Sequence, residues 1–356
     1  MVPVISELEK WPYHFSSIVC VTGQHRQMLD QALELFNITP DYDFDLMRTD
    51  QTLAKLTANI FLCLDDVLNK EKPDWVLAQS DTITVLVASL CAFYHKIPFG
   101  HVEADLRTGN MHQPFPEEAN RRIADSVTTF FFAPTQRARE NLIRKGLPQD
   151  NIHVTGNTVI DALLDIASRP YDWETGPLAG VPNDKRIIFI TAHRRESFGE
   201  PFKELCTAIR ELAIEFHDKG VIFVYPVHLN PNVQEPVRAI LSGLDNIYLL
   251  PPLDYLASVQ LIKKAPLILT DSGGIQEEAP SLRVPVLVMR DVTERPEGVE
   301  AGVVRLVGTG KDRIIEETRR LLTDSRAYNE MRKGINPYGD GKAAEKIISC
   351  IMKYSN

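Results

Sequence analysis

The sequence predicts an α/β protein made of two doubly wound, Rossmann-like domains that face a central cleft. Three observations carry this expectation. Apolar runs of strand length alternate with segments of helical period in both halves of the chain, the pattern of βα units around parallel sheets. With 356 residues the chain can build two domains, each with a substantial core. The stretch 168–184, with its Pro and Gly content, reads as a linker. Domains over 1–168 and 169–340 follow, with 341–356 as a final helix.

The first half opens on a helix over 2–10, which is unusual for such a domain, and reaches its first clear strand at 18–22. GQHRQM then turns into a helix over 29–36 with apolar residues at helical spacing. Gln24, His25 and Arg26 therefore sit at a strand's carboxyl end, the edge where open α/β sheets bind ligands. The plainer reading is a solvated helix N-terminus. A long helix over 53–69 leads to a strand at 75–78, a helix at 84–95 and a strand at 98–102. Asp81 and Glu103 follow those two strands. Successive strands joined by a helix point the same way and often lie side by side, so both carboxylates should face one crevice. Pro114 and Pro116 hold an extended loop that opens into a helix near Glu117 and Glu118. Acids there suit the helix dipole, which is the structural explanation, or else face the crevice. Strands at 130–133 and 152–155 and the helical segment GNTVIDALL complete this half.

The second half restarts with a strand at 186–191 that runs into AHRRES, then a helix at 201–217 and a strand at 221–226 ending beside His228. A strand at 246–250 and a helix at 253–264 precede the segment PLILT-DSGGIQEEAPSL-RVPVLVMR. Its two apolar runs, 266–270 and 284–289, read as strands buried on both faces. Between them, Ser272, Gly273 and Gly274 mark the entry to a short helix, whose first amides and dipole make an anion seat. Glycines let a phosphate approach the backbone. Glu277 and Glu278 follow one turn on, where a carboxylate can accept hydrogen bonds from ribose hydroxyls. Together these point to a nucleotide diphosphate. The plainer alternative is a tight turn capped by Asp271 or Ser272. Across the cleft the first half offers Asp81, Glu103 and Glu117, and the second offers His193, Arg194 and Arg195. Carboxylates can exchange a proton at a sugar carbon while the cationic side stabilises a departing diphosphate.

Composition limits the partners. The net charge is −9 and the isoelectric point is near 5.6, which argues against coating nucleic acid or an anionic membrane. Any anionic ligand must be held locally. Cys20, Cys63, Cys91, Cys206 and Cys350 are scattered in apolar runs without C-x-x-C spacing and read as reduced core residues. No apolar run has transmembrane length, and the N-terminus lacks a charged segment followed by an apolar one. The expected location is cytoplasmic.

The segments GQHRQMLD, HVEADLRTGN, FPEEANR, GNTVIDAL, HRRESFG, YPVHLNPNV, LTDSGGIQEEAPSL, VLVMRDVTERPE and NPYGDG resemble the non-hydrolysing UDP-N-acetylglucosamine 2-epimerases over nearly the whole chain. That family is related in fold to the two-domain GT-B glycosyltransferases. The resemblance implies reversible inversion at C2, giving UDP-N-acetylmannosamine by anti elimination of UDP to a 2-acetamidoglucal and readdition on the other face. It implies no metal or redox cofactor. By motif position, Asp81, Glu103 and Glu117 would be acid/base and positioning carboxylates, and His193, beside Arg194, would stabilise the leaving UDP. Ser272, Gly273 and Gly274 would bind the diphosphate, Glu278 the ribose, and Arg295 would reach the substrate from TERPEG. A second UDP-N-acetylglucosamine often activates bacterial members near GQHR and HRRE, making Gln24, His25, Arg26 and His228 candidate contacts. A homodimer is the family expectation, and the final helix would pack back on the first domain.

Several positions depart from the family pattern. A first strand and a G-T-R-P-E loop normally precede the opening helix and are absent here, which predicts a first sheet lacking that strand. Asp105 and Arg283 stand at family glycines, Ser258 at an aromatic that would pack on uracil, and Gln79 with Ser80 at a His-Gly pair. A carboxylate beside Glu103 is expected to raise both acids' pKa values and repel the diphosphate. These departures predict weak turnover with nucleotide binding preserved. Besides the epimerase, they leave open an impaired UDP-sugar-binding homologue and a hydrolysing relative.

Overall fold

The computed structural model describes residues 1–24, 26–48, 50–105, 111–112 and 115–355. His25, Pro114 and residues 106–110 of the HVEADLRTGN motif lie outside the described residues. The chain forms two compact units: Met1–Ala162 with Gly339–Asn356, and Leu163–Tyr338.

The first unit begins with α1 (Val2–Glu9), β1 (Cys20–Val21), α2 (Arg26–Leu35), β2 (Tyr42–Asp43) and α3 (Leu53–Glu71). It continues through β3 (Val76–Gln79), α4 (Ile83–Tyr94), β4 (Phe99–Val102), α5 (Glu117–Ser126), β5 (Phe130–Ala133), α6 (Gln136–Arg144) and β6 (Ile152–Val154). Helix α7 (Thr158–Ser168) carries the chain into the second unit. β1 and β2 form one parallel pair, and β3-β4-β5-β6 form a separate parallel sheet. Among the described residues no strand joins β1 to β3. β4 and β5 are buried along their whole length, as apolar central strands of a parallel sheet should be. β1 is shorter than the apolar run at 18–22 because the Val19 amide donates to the Asp41 carboxylate, 2.7 Å, instead of to a neighbouring strand. The two-residue β2 lies in the alternating stretch DYDFDL at 41–46, a period-2 strand signal that the sequence expectation omits.

The second unit contains β7 (Arg186–Thr191), α8 (Glu200–Phe216), β8 (Val221–Pro226), α9 (Pro231–Leu241), β9 (Ile247–Leu250) and α10 (Tyr255–Lys264). It continues with β10 (Leu267–Thr270), α11 (Gly273–Ser281), β11 (Val286–Val288), α12 (Pro296–Glu300), β12 (Val304–Leu306), α13 (Lys311–Thr323) and α14 (Ser325–Arg332). Its six strands are parallel, in the order β12-β11-β10-β7-β8-β9. The chain moves outward from β7 to β9, then returns to the other side of β7 and moves outward again through β10 to β12. This reversal puts a topological switch point between β7 and β10, the place where doubly wound sheets take ligands. Apolar side chains cover both faces of the sheet in two layers, one including Ile188, Phe202, Phe223 and Leu269, the other Phe189, Val224, Ile268 and Val286. Leu178 and Val181, within 168–184, are buried in the second of these layers.

Helix α15 (Ala343–Ser355) belongs to the first unit. Its first amides, on Ala343 and Ala344, donate to the Asp161 carboxylate at 3.2 and 2.9 Å, a cap supplied from a distant part of the chain. Ile347, Ile348 and Ile351 then pack with Val4, Val102, Phe130 and Phe132.

Candidate functional site

In the second unit the site grows from two adjacent strand ends. Thr191 of β7 pairs in register with Thr270 of β10, and their hydroxyls are 2.6 Å apart. The next residues are fixed by Asp271, which is fully buried. Its Oδ2 accepts from the amides of His193 and Arg194 at 2.7 and 2.8 Å. Asp271 therefore ties one ligand loop to the other instead of capping α11. Ser272 occupies the N-cap position but makes no side-chain capping bond, so the first-turn amides of α11 keep the orphan donors that favour an anion.

Gly273, the first residue of α11, packs against two arginine side chains at ordinary contact distances. A Cβ on it would lie 3.6 Å from the Arg194 Nη2 and 3.8 Å from the Arg295 Cζ. Two guanidinium groups thus flank one helix N-terminus. Arg295 is held by an ion pair with Glu277 and by its amide bond to Thr293 Oγ1, 3.0 Å. Thr293 in turn donates to Gln276 of α11, 2.6 Å. Glu294 lies 3.7 Å from Arg194. Burial alone would raise its pKa, but the bonded Arg290 guanidinium holds it down to about 2.

The tandem acids separate. Glu277 turns to Arg295, while Glu278 accepts from the Tyr255 hydroxyl at 2.8 Å. Burial pushes the Glu278 pKa up to about 7, against the lowering bond from Tyr255 and with help from nearby Glu277. His193 stacks on His228 with ring centroids 5.2 Å apart, and its Nδ1 is 3.8 Å from Asp271 Oδ1. Burial lowers the His193 pKa, opposed by Asp271 and reinforced by His228 and Arg194.

In the first unit the carboxyl ends of β3 and β4 are adjacent, with Gln79 opposite Val102, and they carry Asp81 and Glu103. Arg121 of α5 pairs with the Asp81 carboxylate and donates to the Glu103 carbonyl at 2.8 Å. Asn120 donates to the Asp81 carbonyl, 2.9 Å. Gln79 Nε2 donates to the Glu103 carboxylate, 3.0 Å. Glu117, Asn120 and Arg121 have the i, i+3, i+4 spacing that puts them on one helix face, so α5 brings Glu117 toward the same strand ends. Glu117 Oε2 is buried with no hydrogen-bond partner among the described residues. Behind them the buried His101 bridges Asp125 and the Ser80 carbonyl, at 2.8 Å each.

Asp105 does not behave as the expected repelling charge. Its carboxylate is fully buried and forms an ion pair with Lys145. The candidate activator contacts divide between the units: Arg26 is engaged by Asp43 and Asp30, the Gln24 Oε1 is buried, and His228 stacks on His193. Sequence reading missed Arg121, His101, Asp271 and Tyr255. Arg121 had a signal, a cation four residues after Glu117, whereas the others act through contacts that no local pattern encodes.

Fold and site together define the class: two parallel-sheet, Rossmann-like units of GT-B-like type, the second with a helix N-terminus at its switch point set between two guanidinium groups. The chain belongs to the UDP-N-acetylglucosamine 2-epimerase family, whose model matches residues 6–352. It is 52% identical to a UDP-N-acetylglucosamine 2-epimerase of Yersinia pestis, over 96% of this chain and 92% of that one. It is 51% identical to that of Escherichia coli (strain K12), over 99% and 94%. The structure is similar to that of UDP-GlcNAc 2-epimerase from Neisseria meningitidis bound to UDP-GlcNAc, with a TM-score of 0.86 and 46% identity over 99% of this chain and 96% of that one.

Proposed function

We propose that this chain interconverts UDP-N-acetylglucosamine and UDP-N-acetylmannosamine by eliminating and re-adding UDP. The observation that carries this reading is the α11 N-terminus with Arg194 and Arg295 over Gly273, a seat for a diphosphate that must be held both as substrate and as leaving group. Preorganised donors aimed at developing charge are the largest single source of stabilisation in such a step. His193, whose pKa burial lowers, donates a hydrogen bond to the departing diphosphate. Glu278 receives the ribose hydroxyls in its ionised form, steadied by Tyr255.

The carboxylates of the first unit act on the sugar. One removes the C2 proton as the C1–O bond to UDP breaks, leaving the 2-acetamidoglucal. A carboxylic acid on the other face then returns a proton to C2 as UDP adds back at C1. Glu117 suits the role of base, because its buried oxygen has an open acceptor position. Asp81 and Glu103, tied through Arg121, serve on the opposite face and in positioning. Lys145 neutralises Asp105, which removes the charge-based reason for expecting an impaired homologue.

The test follows the nucleotide sugars by chromatography, starting from UDP-N-acetylglucosamine. An equilibrium mixture with UDP-N-acetylmannosamine is the expected result. Stoichiometric release of UDP and free N-acetylmannosamine would instead assign a hydrolysing enzyme. Among the described residues no helix is long and apolar enough to cross a membrane. The same reading includes a cytoplasmic location and a homodimer, the latter open to light scattering.

A further inference from the structure

The turn that follows β4 is strained. Glu103 has φ +59° and Asp105 has φ +66°, the left-handed region that side chains other than glycine enter only at a steric cost. Two such residues within three persist only where surrounding contacts impose them. Some of those contacts are plain: the Ala104 amide donates to the Phe132 carbonyl at 3.1 Å, and Arg121 holds the Glu103 carbonyl at 2.8 Å. The Asp105 side chain supplies another. It has no solvent exposure, and a buried carboxylate is tolerated only when paired. Lys145, the residue after α6, reaches in from a side chain that is 39% exposed and closes the ion pair.

We propose that Asp105 and Lys145 are positioning residues, whose buried ion pair locks the left-handed turn that aims the Glu103 carboxylate. The lock takes the place of a glycine, which would adopt φ +66° without steric cost and would need no partner. Removing Lys145 takes this ion pair from the buried Asp105 carboxylate and loosens the turn. Displacement of a positioned group by about 1 Å can cost about a hundredfold in rate. Replacing Asp105 by glycine in the same chain removes both the charge and the strain.

The role in catalysis rests on the epimerase reading, and the experiment separates the two. The parent, K145M, K145R, D105G and the K145M/D105G double variant are compared for kcat of C2 solvent exchange, for UDP affinity and for thermal unfolding. K145M is expected to lose about tenfold or more in kcat while UDP affinity stays within about twofold, because the nucleotide seat lies in the other unit. K145R restores most of the rate, and D105G added to K145M restores both rate and unfolding temperature. Unchanged kcat in K145M, or a double variant no better than K145M, overturns the proposal. Should the parent itself show no exchange, the epimerase reading fails. The unfolding cycle then decides the lock alone: destabilisation by K145M that D105G does not relieve rules it out.

Discussion

Glu278 is only 8% exposed, and burial pushes its pKa up to about 7 from an ordinary 4.5. A carboxyl raised in the folded state contributes stability that is fully present below 4.5 and is lost as pH rises to about 7. Between those limits the unliganded parent should lose stability relative to Glu278→Gln, by on the order of 3 kcal/mol at about 1.4 kcal/mol per tenfold change in proton affinity. Denaturant unfolding at several pH values checks this, and parallel profiles for the two proteins would contradict it. As a ribose acceptor, Glu278 should also matter to binding. Glu278→Ala is expected to weaken UDP by about 1–3 kcal/mol, the cost of lost charge-assisted hydrogen bonds, measured by titration calorimetry. Residues such as Glu278, Asp81 and Glu103 are legible in the sequence because strand ends and helix starts are marked by apolar runs and glycines. Asp271 is not, since its function is to receive amides from a loop 77 and 78 residues earlier.

At the scale of elements, three of the positions that depart from the family's glycine pattern, Ser80, Asp105 and Arg283, all have left-handed φ, at +78°, +66° and +58°. Arg283 ends α11: its amide and that of Val284 donate back to Pro280 and Ala279 at 3.0 and 3.1 Å, a helix stop that favours glycine. Arg283→Gly should therefore stabilise the protein by up to about 1 kcal/mol, seen as a higher unfolding temperature. Destabilisation would mean that the arginine side chain makes a contact worth more than the strain. Strands β7 and β8 and the buried β5 match the sequence expectation end to end, because continuous apolar runs leave little choice of boundary. β1 and β2 do not, because side chains such as Asp41 compete with the ladder for their amides.

Across the whole molecule, the proposed nucleotide seat belongs to one unit and the carboxylates proposed to transfer protons to the other. Groups that act only on the reacting sugar should matter to turnover and not to UDP affinity. Asp81→Asn and Glu117→Gln are thus expected to bind UDP as the parent does while losing C2 exchange. Parental exchange rates in both would make these carboxylates structural. The most direct measurement is NMR of UDP-N-acetylglucosamine incubated with the parent protein in deuterated water. Elimination and readdition of UDP predict deuterium at C2 in both UDP-N-acetylglucosamine and newly formed UDP-N-acetylmannosamine. An unexchanged C2 proton and a single UDP sugar, under conditions where UDP is bound, would contradict it.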